Sequence, residues 1–143
     1  MSILFEEDRK VITISTNNTS YQMRIDSNGF LQHMYYGSRI EGEDLSYLYY
    51  HYDRACAGNP EEVYPSRNIS FDVMPQEYPG YGVGDFRIYA LAARNADGSF
   101  GADFRYVSHE ISDGKYSLEG LPSSYDKNGD AEKIGRASCR ERG

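Results

Sequence analysis

The sequence predicts an all-β chain, an antiparallel β-sandwich. Three observations predict it. Short runs rich in β-branched and aromatic residues alternate apolar with polar side chains. Turn signals containing Asn-Gly or Asp-Gly separate several of these runs. No window of about 11 residues carries the i, i+3, i+4, i+7 apolar stripe of an amphipathic helix.

Taken in order, a short strand is expected near Ile3–Phe5, then one at Val11-Ile12-Thr13-Ile14-Ser15. Tyr21, Met23 and Ile25 alternate with Gln22 and Arg24, the period of a half-buried strand. Asp26-Ser27-Asn28-Gly29 reads as a hairpin turn, because Asn and Gly both tolerate positive φ. Phe30 to Tyr36 follows and ends at Gly37, so residues 11–36 read as three consecutive antiparallel strands. Ser38 to Asn68 has no clean period, holds Gly42, Gly58, Pro60 and Pro65, and reads as a long excursion bearing Tyr47, Tyr49, Tyr50 and Tyr52. Strand character returns at Ile69–Val73, then Pro75, Pro79, Gly80, Gly82 and Gly84 break it. The glycines are expected to supply positive φ and close chain approach. Ile88–Ala93 and Phe104–His109 read as strands flanking the turn Asn95-Ala96-Asp97-Gly98, and Ser112-Asp113-Gly114-Lys115 as a third turn.

The chain has 143 residues, room for one domain with a modest core. Tyrosine is the compositional outlier, with 14 Tyr against 6 Phe and no Trp. An apolar ring with a polar tip suits half-buried sheet faces and wet surfaces. The formal net charge of −7 argues against nucleic-acid binding, which needs a basic face. No apolar run reaches the ~18 residues of a membrane span, and the start lacks the basic and apolar regions of a secretory signal. Cys56 and Cys139 make neither a disulfide framework nor a metal pattern. A cytoplasmic address is expected, with no cofactor and no metal.

The last ten residues, Ile134 to Gly143, read IGRASCRERG, which looks like the translation of a short-read sequencing adapter. Residues 1–133 are therefore expected to be an incomplete N-terminal sandwich domain and residues 134–143 a non-native tail.

The segment Asp72 to Arg87, DVMPQEYPGYGVGDFR, closely resembles a hallmark of family 36 α-galactosidase N-terminal domains, of the form P-Q-E-Y-P-x-x-G-x-G-D-F-R. Leu31 to Ile40 with Asp44 to Leu48, and Leu118 to Tyr125 with its L-x-G-L-P-x-x-Y phrase, resemble the family's flanking stretches in the same order. The resemblance covers residues 1–132. It implies a longer enzyme: an N-terminal β-supersandwich, a (β/α)8 barrel and a C-terminal sheet domain, removing terminal α-linked galactose from raffinose- or melibiose-type sugars by a retaining mechanism. It places both catalytic aspartates on the barrel, so no catalytic residue is expected here and the chain by itself is expected to be inactive. A homo-oligomer, a tetramer, is implied for the longer enzyme.

The resemblance also implies a substrate-binding role for Asp44 and Arg54, reaching a neighbouring subunit's sugar pocket. A carboxylate accepts sugar hydroxyls and a guanidinium donates to them. The Arg54 loop, RACAGNP, departs from the commoner family form, and the competing reading is a surface ion pair. For Glu77, Tyr78, Asp85 and Arg87 two readings stand: contacts to substrate or barrel, or polar glue of an irregular bend, with Arg87 locked to a carboxylate. A free-standing carbohydrate-binding module, using the Tyr47–Tyr52 cluster for stacking, and an oligomerisation domain without sugar contact are the alternatives.

Overall fold

The computed structural model describes residues 2–49, 69–71, 73–82, 84–113, 119–120, 122, 132–134 and 138–141. Four strands form an antiparallel meander: β1 (Ser2–Glu6), β2 (Val11–Ser15), β3 (Thr19–Ile25) and β4 (Leu31–Ser38), in sheet order β1-β2-β3-β4. This is the run of strands expected from residues 3–36. The all-β antiparallel class is borne out.

The turns follow from local chemistry. Between β3 and β4, Asp26 Oδ1 accepts from the backbone N–H groups of Asn28 and Phe30, both at 2.9 Å, and the Asp26 N–H donates to the Phe30 carbonyl. Only Gly29 adopts positive φ there, at 83°, so the loop is an Asp-locked turn closed by a left-handed glycine. Further along, the register shifts between Gln22 and Met23, which face Tyr35 and His33, so Met34 is an extra residue on β4. The bulge brings His33 to the face that also carries Tyr21.

A second, irregular layer covers this sheet. Phe30, Ile69, Phe71 and Met74 form one buried cluster, with the Phe30 and Phe71 rings edge-on at 5.1 Å. Each fully buried apolar side chain of this size contributes about 1.5–3 kcal/mol. Ile69–Val73 was expected as a strand, and the described residues of that run form a turn instead. Val73 and Met74 both donate to the Ser70 carbonyl. Pro75 to Glu77 then runs beside the outer edge of β4: His33 N–H donates to the Pro75 carbonyl at 2.7 Å and Glu77 N–H to the Leu31 carbonyl at 2.9 Å. This short pairing closes part of an otherwise open sheet edge.

Ile88–Ala93 was also expected as a strand, and it too is corrected. Among the described residues a single parallel bridge, Gly80 to Leu91, is all the pairing it makes, and Ile88 is 93% exposed. The turn at Asn95–Gly98 does form, through a 2.9 Å bond from Gly98 N–H to the Asn95 carbonyl. Strand β5 (Phe104–Ser108) occupies the predicted Phe104–His109 run, and β6 (Ile111–Asp113) takes in two residues that the sequence suggested as a turn. Gly114 and Lys115 lie outside the described residues. β5 pairs with β8 (Ser138–Glu141) and β6 with β7 (Glu132–Ile134), both antiparallel. So β8 falls within residues 134–143 and β7 ends at their start.

Arg105 fastens β5 to the main sheet. Its Nε and Nη2 donate to the two Asp103 oxygens at 2.7 and 2.8 Å, and Nη1 donates to the Asn28 carbonyl at 2.8 Å. Its guanidinium lies 3.8 Å from the Phe30 ring centre.

Candidate functional site

The hallmark segment builds two polar clusters. In the first, Arg87 is clamped to Asp85: Nε donates to Oδ1 at 3.0 Å and Nη2 to Oδ2 at 2.8 Å, and the Arg87 N–H also donates to Oδ1. The same Nη2 reaches the carbonyls of Phe71 and Met74 at 2.6 and 2.7 Å. Gln76 Nε2 adds a contact to Asp85 at 3.3 Å. The Asp85 side chain is 2% exposed. Burial alone would raise its pKa, but the hydrogen bonds and charge of Arg87 prevail and hold it below the usual carboxylate range.

The second cluster gathers on the sheet. The Tyr21 hydroxyl donates to the Glu77 carboxylate at 2.5 Å, and His33 Nδ1 lies 2.9 Å from Glu77 Oε1. Burial first, then the bond to Glu77, push the Tyr21 phenol above its ordinary range. Sequence reading missed this trio. The signal was present in the pairing register: Met23 faces His33 and Tyr21 faces Tyr36, which makes Tyr21 and His33 diagonal neighbours on one face.

Both clusters have the geometry of polar glue. Glu77 and Asp85 spend their carboxylates on groups of the chain itself, whereas an acid–base or nucleophile pair would leave oxygens aimed at a shared open site. The glycines of the segment behave as expected. Gly82 and Gly84 have φ of 89° and 98°, and a Cβ on Gly80 would collide with the Ala102 carbonyl oxygen.

Asp44 stands apart, before the single-turn 3-10 helix Ser46–Leu48. Its side chain is 59% exposed. Its Oδ1 accepts from the Ser46 N–H at 2.9 Å and lies 3.7 Å from Arg9 Nη1. The Ser46 backbone and side chain, with smaller contributions from Arg9 and Arg24, hold its pKa below the ordinary value. Asp44 is thus a fixed, ionised carboxylate facing outward. Arg54 lies outside the described residues, as do Tyr50 and Tyr52. Of the remaining tyrosine cluster, Tyr47 is exposed, and Tyr49 is half-buried with its ring 5.8 Å from the Arg24 guanidinium. Burial, then the Asp26 charge, push the Tyr49 phenol up to about 12.

Among the described residues no three His, Cys, Asp or Glu side chains are grouped to hold a metal, and no helix is long and apolar enough to cross a membrane.

Comparison with known proteins adds a family. A profile for the glycosyl hydrolase family 36 N-terminal domain matches residues 29–136. The chain is 38% identical over 134 residues to the bifunctional alpha-galactosidase/sucrose kinase AgaSK of Mediterraneibacter gnavus, covering 94% of this chain and 14% of that protein. The structure of the galactosidase domain of AgaSK matches with a TM-score of 0.82 at 39% identity, over 87% of this chain and 17% of that one. The family 36 α-galactosidase AgaA A355E D548N of Geobacillus stearothermophilus, in complex with raffinose, matches with a TM-score of 0.74 at 34% identity, over 84% of this chain and 16% of that one. The chain therefore spans 14–17% of the length of its first curated relatives.

Proposed function

The chain belongs to the family of glycosyl hydrolase family 36 N-terminal domains, and from that premise we propose that it is the N-terminal part of an α-galactosidase acting on raffinose- and melibiose-type oligosaccharides. One observation carries the reading. The match runs over nearly the whole chain, yet takes in only about a seventh of AgaSK, and it includes the hallmark segment that folds around Asp85 and Glu77.

On this reading the chain is a scaffold. It supports a barrel whose two aspartates do the retaining chemistry, one as nucleophile and one as acid/base, and it contributes contacts within a homotetramer. The internal use of Glu77 and Asp85 supports a structural role for the hallmark. Residues 134–143 are proposed to be adapter-derived, leaving 1–133 as the incomplete domain.

Asp44 and Arg54 are proposed to touch sugar in a neighbouring subunit's pocket. The exposure of Asp44, its ionised state and its fixed orientation on the Ser46 turn support this for the aspartate. The test begins with genomic DNA read through codon 134. Continuation into a barrel-encoding frame supports the proposal, and a stop codon after an authentic Gly143 overturns it. In the longer protein, Asp44→Asn should raise KM for raffinose about tenfold or more, the value of one good charged hydrogen bond. An unchanged KM removes Asp44 from the pocket.

A further inference from the structure

We infer that this chain carries a second binding site, for a neutral saccharide, in the cleft between the Glu7–Lys10 turn, the Arg24–Ser27 end of β3 and the Tyr106–His109 end of β5. The cleft has a volume of about 670 Å³, within the range of small-molecule sites. Neither polar cluster of the hallmark segment lines it.

Its charge pattern selects the ligand class. Glu7, Asp8 and Asp26 bring three carboxylates to its lining and Arg9, Lys10 and Arg24 three cations. Asp26 is engaged by the Asn28 and Phe30 N–H groups and by Gln32, Arg9 pairs with Glu6 and lies 3.7 Å from Asp44, and Lys10 pairs with Glu7, so Asp8 and Arg24 carry the charges outside these pairs. An anion entering this cleft gains from one set and is repelled by the other, and so does a cation. A neutral polyhydroxylated molecule uses both, because each hydroxyl donates to a carboxylate and accepts from a guanidinium or ammonium.

The apolar part fits the same class. Phe5 and His109 meet edge-on at 4.3 Å, and the Tyr106 hydroxyl lies 2.6 Å from His109 Nδ1. That contact fixes the imidazole in the cleft wall. The rings of Phe5, His109 and Tyr106 offer a surface to the C–H face of a pyranose. Arg24 also lines the cleft and brings its positive charge to it, with its guanidinium 5.8 Å from the Tyr49 ring.

The experiment is a titration of the ¹⁵N-labelled chain with raffinose, with D-galactose and, separately, with inorganic phosphate. Raffinose or galactose should shift the amides of Lys10, Arg24 and His109 saturably, with Kd in about the millimolar range, and His109→Ala should weaken binding about tenfold. Arg24→Met should do the same, and unchanged amide dispersion in each variant shows that the fold is kept. Should Arg24→Met unfold the chain, His109→Ala at the cleft rim decides alone. Absence of saturable sugar shifts overturns the site, as does phosphate binding in place of sugar. Sugar shifts centred on residues 44–49, lost in Asp44→Ala and kept in His109→Ala, also overturn it while favouring the Asp44 pocket. Hydrolysis by the longer protein is a separate measurement, so the two readings fail independently.

Discussion

Asp85 shows how much one buried carboxylate can organise. It holds Arg87, and Arg87 in turn donates to the Phe71 and Met74 carbonyls, the second of which also accepts from the Gln76 N–H at 2.8 Å. Asp85→Asn keeps the shape and removes the charge. It should lower unfolding free energy at pH 7 by about 1.5–3 kcal/mol, the range for hydrogen bonds to charged groups, toward the lower end because Arg87 is partly exposed. The pH dependence follows from the sign of the shift. The folded pKa is depressed, so the stabilisation is in full force above the ordinary aspartate value near 3.9 and is lost as pH falls through the lower folded value. Urea midpoints of the two proteins should differ most near neutrality and converge in strong acid. A constant gap would mean that the Asp85 charge is not what holds the bend. Tyr21→Phe is the companion change. It strips Glu77 of a hydroxyl donor and should cost about 1–2 kcal/mol by the same measurement. At this scale the sequence was half legible. Arg87 locked to a carboxylate was one of the two readings it allowed, because an Asp two residues before an Arg can close on it. The Tyr21–Glu77 bond joins residues 56 apart in sequence, and nothing local announces it.

Elements were legible where the backbone pairs with itself in sequence order. β1 to β4 follow one another in the sheet and are joined by short turns, so sequence order and topology agree. The errors fall at residues 69–73 and 88–93, and both have the same origin. Ile69 and Phe71 are apolar because they plug the core over Phe30, with side chains buried and backbone turned. Carbonyls near them go to a guanidinium, which a periodicity argument does not count. In the second segment apolar residues are exposed and almost unpaired, with Ile88 at 93% and Tyr89 at 49%. Burial and pairing, not composition, separate these runs from strands. The glycine-broken stretch between them is the firmer lesson. Residues 80–82 thread between Leu91 and the 100–102 backbone, with Tyr81 N–H donating to the Leu91 carbonyl and Ala102 N–H to the Tyr81 carbonyl. Gly82 sits there at φ 89°, and an added Cβ would strike the Phe100 carbonyl. Gly82→Ala combines backbone strain with a collision against backbone, which cannot swing away. It should destabilise by about 2 kcal/mol or more in thermal or urea unfolding. Gly42→Ala is the control, with φ 73° but open space around it, and should cost less. Equal losses at the two sites would attribute the effect to φ alone.

For the whole molecule the decisive contrast is between the meander and the C-terminal ladders. The meander has four strands, a locked turn and a buried cluster against it. The ladders β5–β8 and β6–β7 are two-stranded, and such pairs are marginal without a hydrophobic partner. β5 is held independently of β8, because Arg105 and the Tyr106 N–H bind it to the Asn28–Gly29 turn. Deleting residues 134–143 therefore removes β8 and the last residue of β7 but none of these anchors. The shortened chain should unfold within about 1 kcal/mol of the original in urea, with the amide signals of residues 2–38 unmoved. Loss of cooperative unfolding on deletion would make the tail an integral part of the domain and remove the argument that it is foreign. Neither chain should turn over p-nitrophenyl α-galactoside, since retaining hydrolysis needs two carboxylates about 5 Å apart across the glycosidic bond. Glu77, half-buried, and Asp85, buried, are bound up with Tyr21 and His33 and with Arg87 instead. Steady release of nitrophenol that survives purification and disappears in Glu77→Gln or Asp85→Asn would relocate the chemistry into this domain.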